Sequence, residues 1–266
     1  MHIMEEINRR TWKKPLSLRG YKQISGHIDE GERRLFEMAF ARYRGGSFLD
    51  IGVGGGRTAG LLKANAGDYL GIDYTPEMID IARANHPDLR FETMDARALE
   101  DIDDRSRDLV VFSYNGLDSV DPAGRIAILA EVNRVLKPGG AFVFSTFHRG
   151  WAGFHQAPDR RSVVPPSSNP VLLGLRYARY AMGAWRARQH RLHEVRDGEH
   201  AIHLHPAHYF GIMVYATTPA QIGRQLEEAG FKIPPAIFDE NGSELGDHVS
   251  AATQYVHVFA EKPVHS

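Results

Sequence analysis

Phe48-Leu49-Asp50-Ile51-Gly52-Val53-Gly54-Gly55-Gly56-Arg57 is the stretch on which the rest of the chain turns. An apolar segment ends in an acid and runs into a glycine-rich turn. A second apolar segment, residues 69–72, ends in another acid, Asp73. Glycines between a strand and a helix let backbone approach a ligand closely. A carboxylate at the tip of the next strand can accept both hydroxyls of a ribose. The pairing predicts a site for a nucleoside-bearing molecule.

Working outward, strands and helices alternate. Residues 47–51 read as a strand, 57–65 as a helix and 69–73 as a strand. Thr75 and Pro76 open the next helix, as cap and first-turn proline. Residues 89–94 are a strand. Residues 108–113, Asp-Leu-Val-Val-Phe-Ser, form the continuous apolar run of a strand covered on both faces. A helix over 125–136 stops at Lys137-Pro138-Gly139-Gly140, and 141–146 is a fifth strand. Upstream lie a helix over 28–43 and a basic arm with room for one short helix. The rhythm breaks at His148, where a segment rich in proline, arginine and histidine begins, with a helix at 171–190. It resumes at the capping box Thr218-Pro219-Ala220-Gln221. Gly230 closes that helix, and 236–239 and 254–260 are the last strands.

This order implies an α/β fold, a doubly wound, mostly parallel sheet with helices on both sides. The expected units are an arm and helix (1–46), a cofactor-binding core (47–147), a cap inserted between the fifth strand and the last core helix (148–216), and the rest of the core (217–266). Ligands of such sheets bind beyond the carboxyl ends of the strands.

Composition narrows the chemistry. The formal charge is −1, so no global field draws the chain to nucleic acid. There is no cysteine, which excludes disulfides, thiolate nucleophiles and cysteine-bound metal. The start of the sequence lacks the layout of a signal peptide, and no apolar run could span a bilayer. A cytoplasmic protein without stable membrane insertion is expected, its oligomeric state open.

Three carboxylates bear on the cofactor. The glycines run Gly52-x-Gly54-x-Gly56, not the Gly-x-Gly-x-x-Gly of a pyrophosphate site. Asp50, two residues before the first glycine, would repel a pyrophosphate. It could instead face the amino group of an amino-acid-bearing cofactor, directly or through water. S-adenosylmethionine has that group and no phosphate. Asp73 suits the ribose. Asp95, just past the third strand, could accept from an adenine amino group.

These motifs resemble those of the class I S-adenosylmethionine-dependent methyltransferases. Residues 50–56 are similar to the first motif of that family and 70–79 to the second, where Tyr74 and Met78 would flank the adenosine. Asp95-Ala96-Arg97 resembles the adenine-binding turn, and 131–140 the helix and turn before the fifth strand. The resemblance covers the segment 47–146 and the tail. It implies a Rossmann-like sheet of seven strands, the last antiparallel and inserted between the fifth and sixth. It further implies S-adenosylmethionine as cofactor, S-adenosylhomocysteine as product, and a small-molecule acceptor.

The acceptor side follows from the same placement. Ser113 and Tyr114 follow the fourth strand and are expected at the cofactor, with Asn115 at the acceptor. No Asn/Asp-Pro-Pro-aromatic tetrad stands there, which argues against a nucleic-acid base. Tyr21, in the arm, could close over the cofactor carboxylate. His148, directly after the fifth strand, and His208, before the last core helix, are the candidate proton acceptors for an oxygen or nitrogen acceptor. Arg149, Tyr209 and Tyr215 are candidate substrate contacts. The arginines of the cap fit either an anionic acceptor or a surface helix that touches solvent, a partner or a membrane. The spacing of His200, His203, His205 and His208 is better explained by a strand edge than by a metal, so none is expected. Three rivals stand beside methyl transfer to a small molecule: a non-catalytic S-adenosylmethionine-binding or partner protein, a nicotinamide-dependent oxidoreductase, and a protein or RNA methyltransferase, which would need a more open acceptor face than a capped pocket offers.

Overall fold

Strand β1 (Ser47–Ile51) pairs in parallel with β2 (Asp68–Asp73) on one side and β4 (Arg107–Phe112) on the other. The order of strands therefore reverses at β1, and a crevice opens above its carboxyl end. This computed structural model describes residues 3–14, 27–155, 157, 169–198, 200–246 and 249–264.

The core sheet runs β3 (Phe91–Thr93), β2, β1, β4, β5 (Leu136–His148). Beyond β5 lies β10 (Tyr255–Glu261), antiparallel to β5 and to β9 (Ala236–Phe238). These are the seven strands the resemblance implies, with the last inserted as expected. Apolar neighbours alternate between faces. Phe48, Leu109 and Val143 pack beneath α2 (Glu30–Tyr43), α3 (Ala59–Asn65) and α4 (Pro76–Asn85) in one buried cluster. Leu49, Val110 and Phe142 join α5 (Pro122–Val135) and α7 (Pro219–Glu228) in the other.

The segment expected as a cap adds three strands. Residues 201–205 and 212–217 form β7 (Ala201–His205) and β8 (Ile212–Thr217), paired antiparallel, with the short β6 (Val195–Arg196) at the edge. The described residues thus form a ten-stranded sheet. The reason lies in β5, which is longer than the sequence suggested. It continues past Thr146, and Phe147 and His148 pair with Ala216 and Thr217 while Phe147 also faces Tyr255 of β10. The sheet forks at that tip. Among the described residues of that segment, α6 (Pro170–His190) and the turns and short helical stretches at 152–155, 191–193 and 207–210 lie outside the sheet.

The arm contributes α1 (Ile3–Trp12). Met4 and Ile7 bury themselves against Leu204, Met213 and Tyr215 of the β7–β8 hairpin. The Asn8 amide exchanges bonds with the Met213 backbone, accepting from its N–H at 2.8 Å and donating to its C=O at 2.8 Å, and also donates to Ser119 O. The arm and the extra hairpin therefore form one body above the strand tips.

Candidate active site

A cavity of about 580 Å³ lies over the carboxyl ends of β1, β2 and β4, between the core and the α1–β7–β8 body. Its floor is the turn after β1. Gly52 has φ +66°, and a Cβ there would stand 2.5 Å from the Phe112 ring. A side chain would meet both a backbone penalty and a clash, so glycine is required. The Gly54 N–H donates to Asp73 Oδ2 at 3.1 Å, and the Thr75 N–H donates to Oδ1 at 2.8 Å. Asp73 is buried with its carboxylate at the cavity wall, held by backbone and still rich in lone pairs. Burial raises its pKa, against the pull of those two bonds.

Tyr74, Met78, Asp95 and Ala96 line the same end. The Asp95 carboxylate is gripped by Arg97 through its backbone N–H and through Nε and Nη2, the last at 2.6 Å. Burial alone would raise the Asp95 pKa, but these bonds outweigh it and lower the value. Arg97 also reaches Glu5 of α1. Trp12 comes from that helix to pack edge-on against Tyr74, 6.2 Å between centroids, and lines the cavity. The arm contact expected from Tyr21 lies outside the described residues.

Asp50 is placed differently from the expectation. It is 1% exposed and lies beneath the turn, outside the cavity lining. Its Oδ2 accepts from Tyr69 Oη at 3.0 Å and from Thr58 Oγ1 at 3.2 Å. Burial pushes its pKa up to about 7, and the two hydroxyl bonds offset only part of that. Its neighbour in the cavity wall is instead Arg57. That guanidinium makes two bonds to Glu32, at 2.6 and 2.8 Å, and one to Ser113 Oγ at 3.1 Å, and lies over the Tyr114 ring. Glu32 lies behind Arg57, outside the lining, so the wall presents the guanidinium, a partner for the carboxylate of an amino-acid group. The sequence signal was Arg57 at the end of the glycine turn. Its partner, 25 residues upstream, carried none.

Ser113, Tyr114 and Asn115 all reach the cavity. Tyr114 and Asn115 take left-handed backbone, φ +55° and +60°, and the Asn115 N–H donates to Ser145 Oγ at 2.7 Å. Asn115 Oδ1 is buried and has no hydrogen-bond partner in the protein. A buried acceptor of this kind is costly unless a ligand donor meets it.

The far wall is mostly apolar, with Phe147, Ile212 and Val214 beside His205 and His208. His205 Nδ1 accepts from the Ala207 N–H at 3.1 Å, and its Nε2 lies 3.0 Å from Gln254 Nε2. Burial lowers its pKa to about 4. His208 opens a turn of three consecutive left-handed residues, His208, Tyr209 and Phe210, with φ of +52°, +55° and +56°. Such backbone costs about 1–2 kcal/mol per residue. Arg186 Nη1 donates to the His208 carbonyl at 3.1 Å, His190 Nδ1 lies 3.0 Å from the Phe210 carbonyl, and the Phe210 ring is buried against α1. These contacts from α6 and the core hold the turn that brings His208 to the wall. Burial, and then Arg186, lower the His208 pKa, so its ring is neutral at pH 7.

Four expected contacts are not brought to the cavity. His148 is buried against Gly150, with its backbone N–H bonded to Gln254 O, because β5 runs on and carries it past the rim. Arg149 Nη2 donates to the Asp197 carbonyl. Tyr209 lies in the strained turn but outside the lining. Tyr215 is in the core, with Arg125 over its ring and its hydroxyl accepting from Gln221 and Gln225. Arg125 in turn donates to the buried Asp118 at 2.7 Å, which also accepts from Thr146 Oγ1 and Phe147 N, both at 2.6 Å. The histidines of β7 stack on rings instead, His203 on Phe154 and His205 on Trp151. Among the described residues no three His, Asp or Glu side chains form a group that could hold a metal ion.

Comparison with known proteins bears on the fold and the domain. Residues 48–140, about a third of the chain, match a family model described as a methyltransferase domain. The chain is 34% identical over 132 residues to a ubiquinone/menaquinone biosynthesis C-methyltransferase UbiE of Geobacter sp. (strain M21), covering 47% of this chain and 55% of that protein. It is 33% identical over 109 residues to a ubiquinone biosynthesis O-methyltransferase of Bradyrhizobium sp. (strain ORS 278), covering 40% and 42%. The chain thus spans about half the length of the curated relatives it matches. Among solved structures, the 1,6-didemethyltoxoflavin-N1-methyltransferase of Burkholderia thailandensis, with bound 1,6-didemethyltoxoflavin and S-adenosylhomocysteine, superposes with a TM-score of 0.52 at 15% identity. That match covers 97% of this chain and 84% of the other. Residues 48–140 thus match a methyltransferase domain, and the chain has the fold of solved S-adenosylmethionine-dependent methyltransferases.

Proposed function

We propose that this chain transfers a methyl group from S-adenosylmethionine to an oxygen or nitrogen of a small molecule with a largely apolar body. The observation that carries the reading is one continuous cavity joining two unlike halves. One half has the glycine turn, the Asp73 and Asp95 carboxylates and the Arg57 guanidinium. The other has an apolar wall and an imidazole.

The residues fit the cofactor. Asp73 would take the ribose, Asp95 and Ala96 the adenine edge, Met78 and Tyr74 its faces, and Arg57, held by Glu32, the carboxylate of its amino-acid end. Bound there, the cofactor supplies an electrophilic methyl on a sulfonium. His208 would accept the proton that the acceptor's O–H or N–H releases as its bond to the methyl forms. The apolar wall and α1 would hold the acceptor and exclude water. Asn115 Oδ1 would meet a donor on either ligand.

The lining bears on the acceptor's charge. Arg57 is the arginine of that wall among the described residues, and it is already committed to Glu32. The arginines of α6 that were candidate anion contacts do not line the cavity. This favours an apolar acceptor over an anionic one. The relatives named for ubiquinone and menaquinone biosynthesis support an aromatic ring, and the C-methyltransferase among them makes ring carbon the second reading.

The test is calorimetry with S-adenosylmethionine and with NAD, followed by an assay for S-adenosylhomocysteine with pooled phenols, hydroquinones and aromatic amines. Binding of S-adenosylmethionine without turnover on any pool would favour the non-catalytic alternative. Binding of NAD alone would overturn the reading. Mass spectrometry of the product separates methyl on oxygen or nitrogen from methyl on carbon.

A further inference from the structure

The helix α6 presents an apolar stripe to solvent. Its sequence, Pro170 to His190, holds four arginines and no acid. Only Gly183 and Ala187 are buried, which fixes the inward face. On the opposite face Val171, Leu175, Ala178, Met182 and Trp185 follow one another at intervals of four and three residues, a continuous line along one side of a helix. Val171 is 71% exposed, Leu175 52% and Trp185 62%. The stripe is about 21 Å long at helical rise. Arg179 and Arg188, both exposed, flank it on opposite sides.

Charge selects the occupant. The whole chain has 32 basic and 33 acidic residues, and α6 has four basic and none acidic. The remainder therefore carries 28 − 33 = −5, and α6 is a cationic strip on an acidic body. A second copy docked helix to helix would set arginine against arginine with no carboxylate on either α6 to answer. An anionic bilayer surface answers both features: the apolar line enters the headgroup boundary, and the flanking guanidiniums reach phosphates on long stems. Trp185 lies on the stripe and Tyr177 beside it, and such rings favour that boundary. The helix is not apolar enough to cross a membrane.

We propose that the outer face of α6 docks on an anionic membrane surface, lying flat on it. The inference does not depend on the methyl-transfer reading. It does place the docked helix beside the cavity, since α6 also holds the His208 turn through Arg186 and His190.

The test is flotation of the full chain with vesicles of phosphatidylcholine and with vesicles containing about a third phosphatidylglycerol, at low and high salt. The chain should float with the anionic vesicles alone and be released by salt, because surface attraction is screened. Trp185 emission should shift to the blue on binding, a shift lost in Trp185→Phe. The pair Leu175→Glu and Trp185→Glu, and separately Arg179→Glu with Arg188→Glu, should each lower vesicle partitioning at least about tenfold. Light scattering and calorimetry with S-adenosylmethionine check that these variants stay folded. Equal partitioning of the folded variants, or no flotation with anionic vesicles, would overturn the proposal. So would a dimer that Trp185→Glu dissolves, since a second copy would then cover the stripe.

Discussion

The Tyr69 hydroxyl donates to Asp50 Oδ2 at 3.0 Å beneath the glycine turn, and the pair is sealed from the cavity above it. Asp50 thus supports the turn from below. Its raised pKa of about 7, caused first by burial, makes stability depend on pH. An unfolded aspartate releases its proton near pH 4. Between there and about pH 7 the folded chain keeps a proton that the unfolded chain has lost, so this group's contribution falls as pH rises. Asp50→Asn cannot titrate. The variant should lose that decline and be more stable than the parent at pH 8, by on the order of a few kcal/mol. Urea denaturation at pH 5 and pH 8 decides; an unchanged difference between the two pH values would refute the assignment.

Asp73 joins the glycine turn to the proposed ribose site. Asp73→Ala removes the acceptor for Gly54 N and Thr75 N as well as any for ligand hydroxyls. Affinity for S-adenosylmethionine should fall by about 1–3 kcal/mol. Asp73→Asn keeps one acceptor oxygen and should fall between parent and Ala variant. Calorimetry measures both, and an unaltered affinity in the Ala variant would remove Asp73 from the site.

His208 and His148 give opposite expectations. As a base His208 works in its neutral form, and its pKa lies below the ordinary 6.5 through burial and Arg186. The rate of S-adenosylhomocysteine formation should therefore be flat through neutrality and fall only on the acid side of pH 6.5. His208→Ala should lower the rate by about 10²-fold or more. His148→Ala, away from the cavity, should leave the rate per folded molecule unchanged. A larger loss in the His148 variant would reverse the assignment.

The Asp118–Arg125 pair lies fully buried between the β4–α5 loop, α5 and the tip of β5. Asp118→Ala would leave a buried guanidinium without its carboxylate. The expected cost is about 3–5 kcal/mol of stability, read from urea denaturation. A cost below that of an ordinary surface substitution would mean that other groups hold the tip of β5.

Much of the fold was legible because its signals are local. Strand-length apolar runs, caps at Thr75 and Thr218, and glycines at turn positions are set by neighbours in sequence, and they placed the glycine turn, Asp73 and Asp95 at the strand tips, while Tyr74, Met78 and Ser113–Asn115 were expected from the family resemblance. The hairpin of β7 and β8 was not legible as sheet, since its partner is the tip of β5, some 70 residues away. Asp50 shows the same limit at one residue. The sequence put it at a strand tip, but whether a strand-tip carboxylate faces ligand or core depends on what packs above it.

What the sequence determined by itself, then, was the order of elements and most of the strand-end residues of the cofactor half, because backbone preference and hydrophobic period act over a few residues. Tertiary structure alone decided how both halves of the cavity are completed. Arg57 is aimed by Glu32, His208 is held in a left-handed turn by Arg186 on another helix, and Trp12 is brought by an arm that packs on the extra hairpin. Each of these positions is fixed by contacts between distant segments, and pairings of that kind leave no periodic trace in the chain.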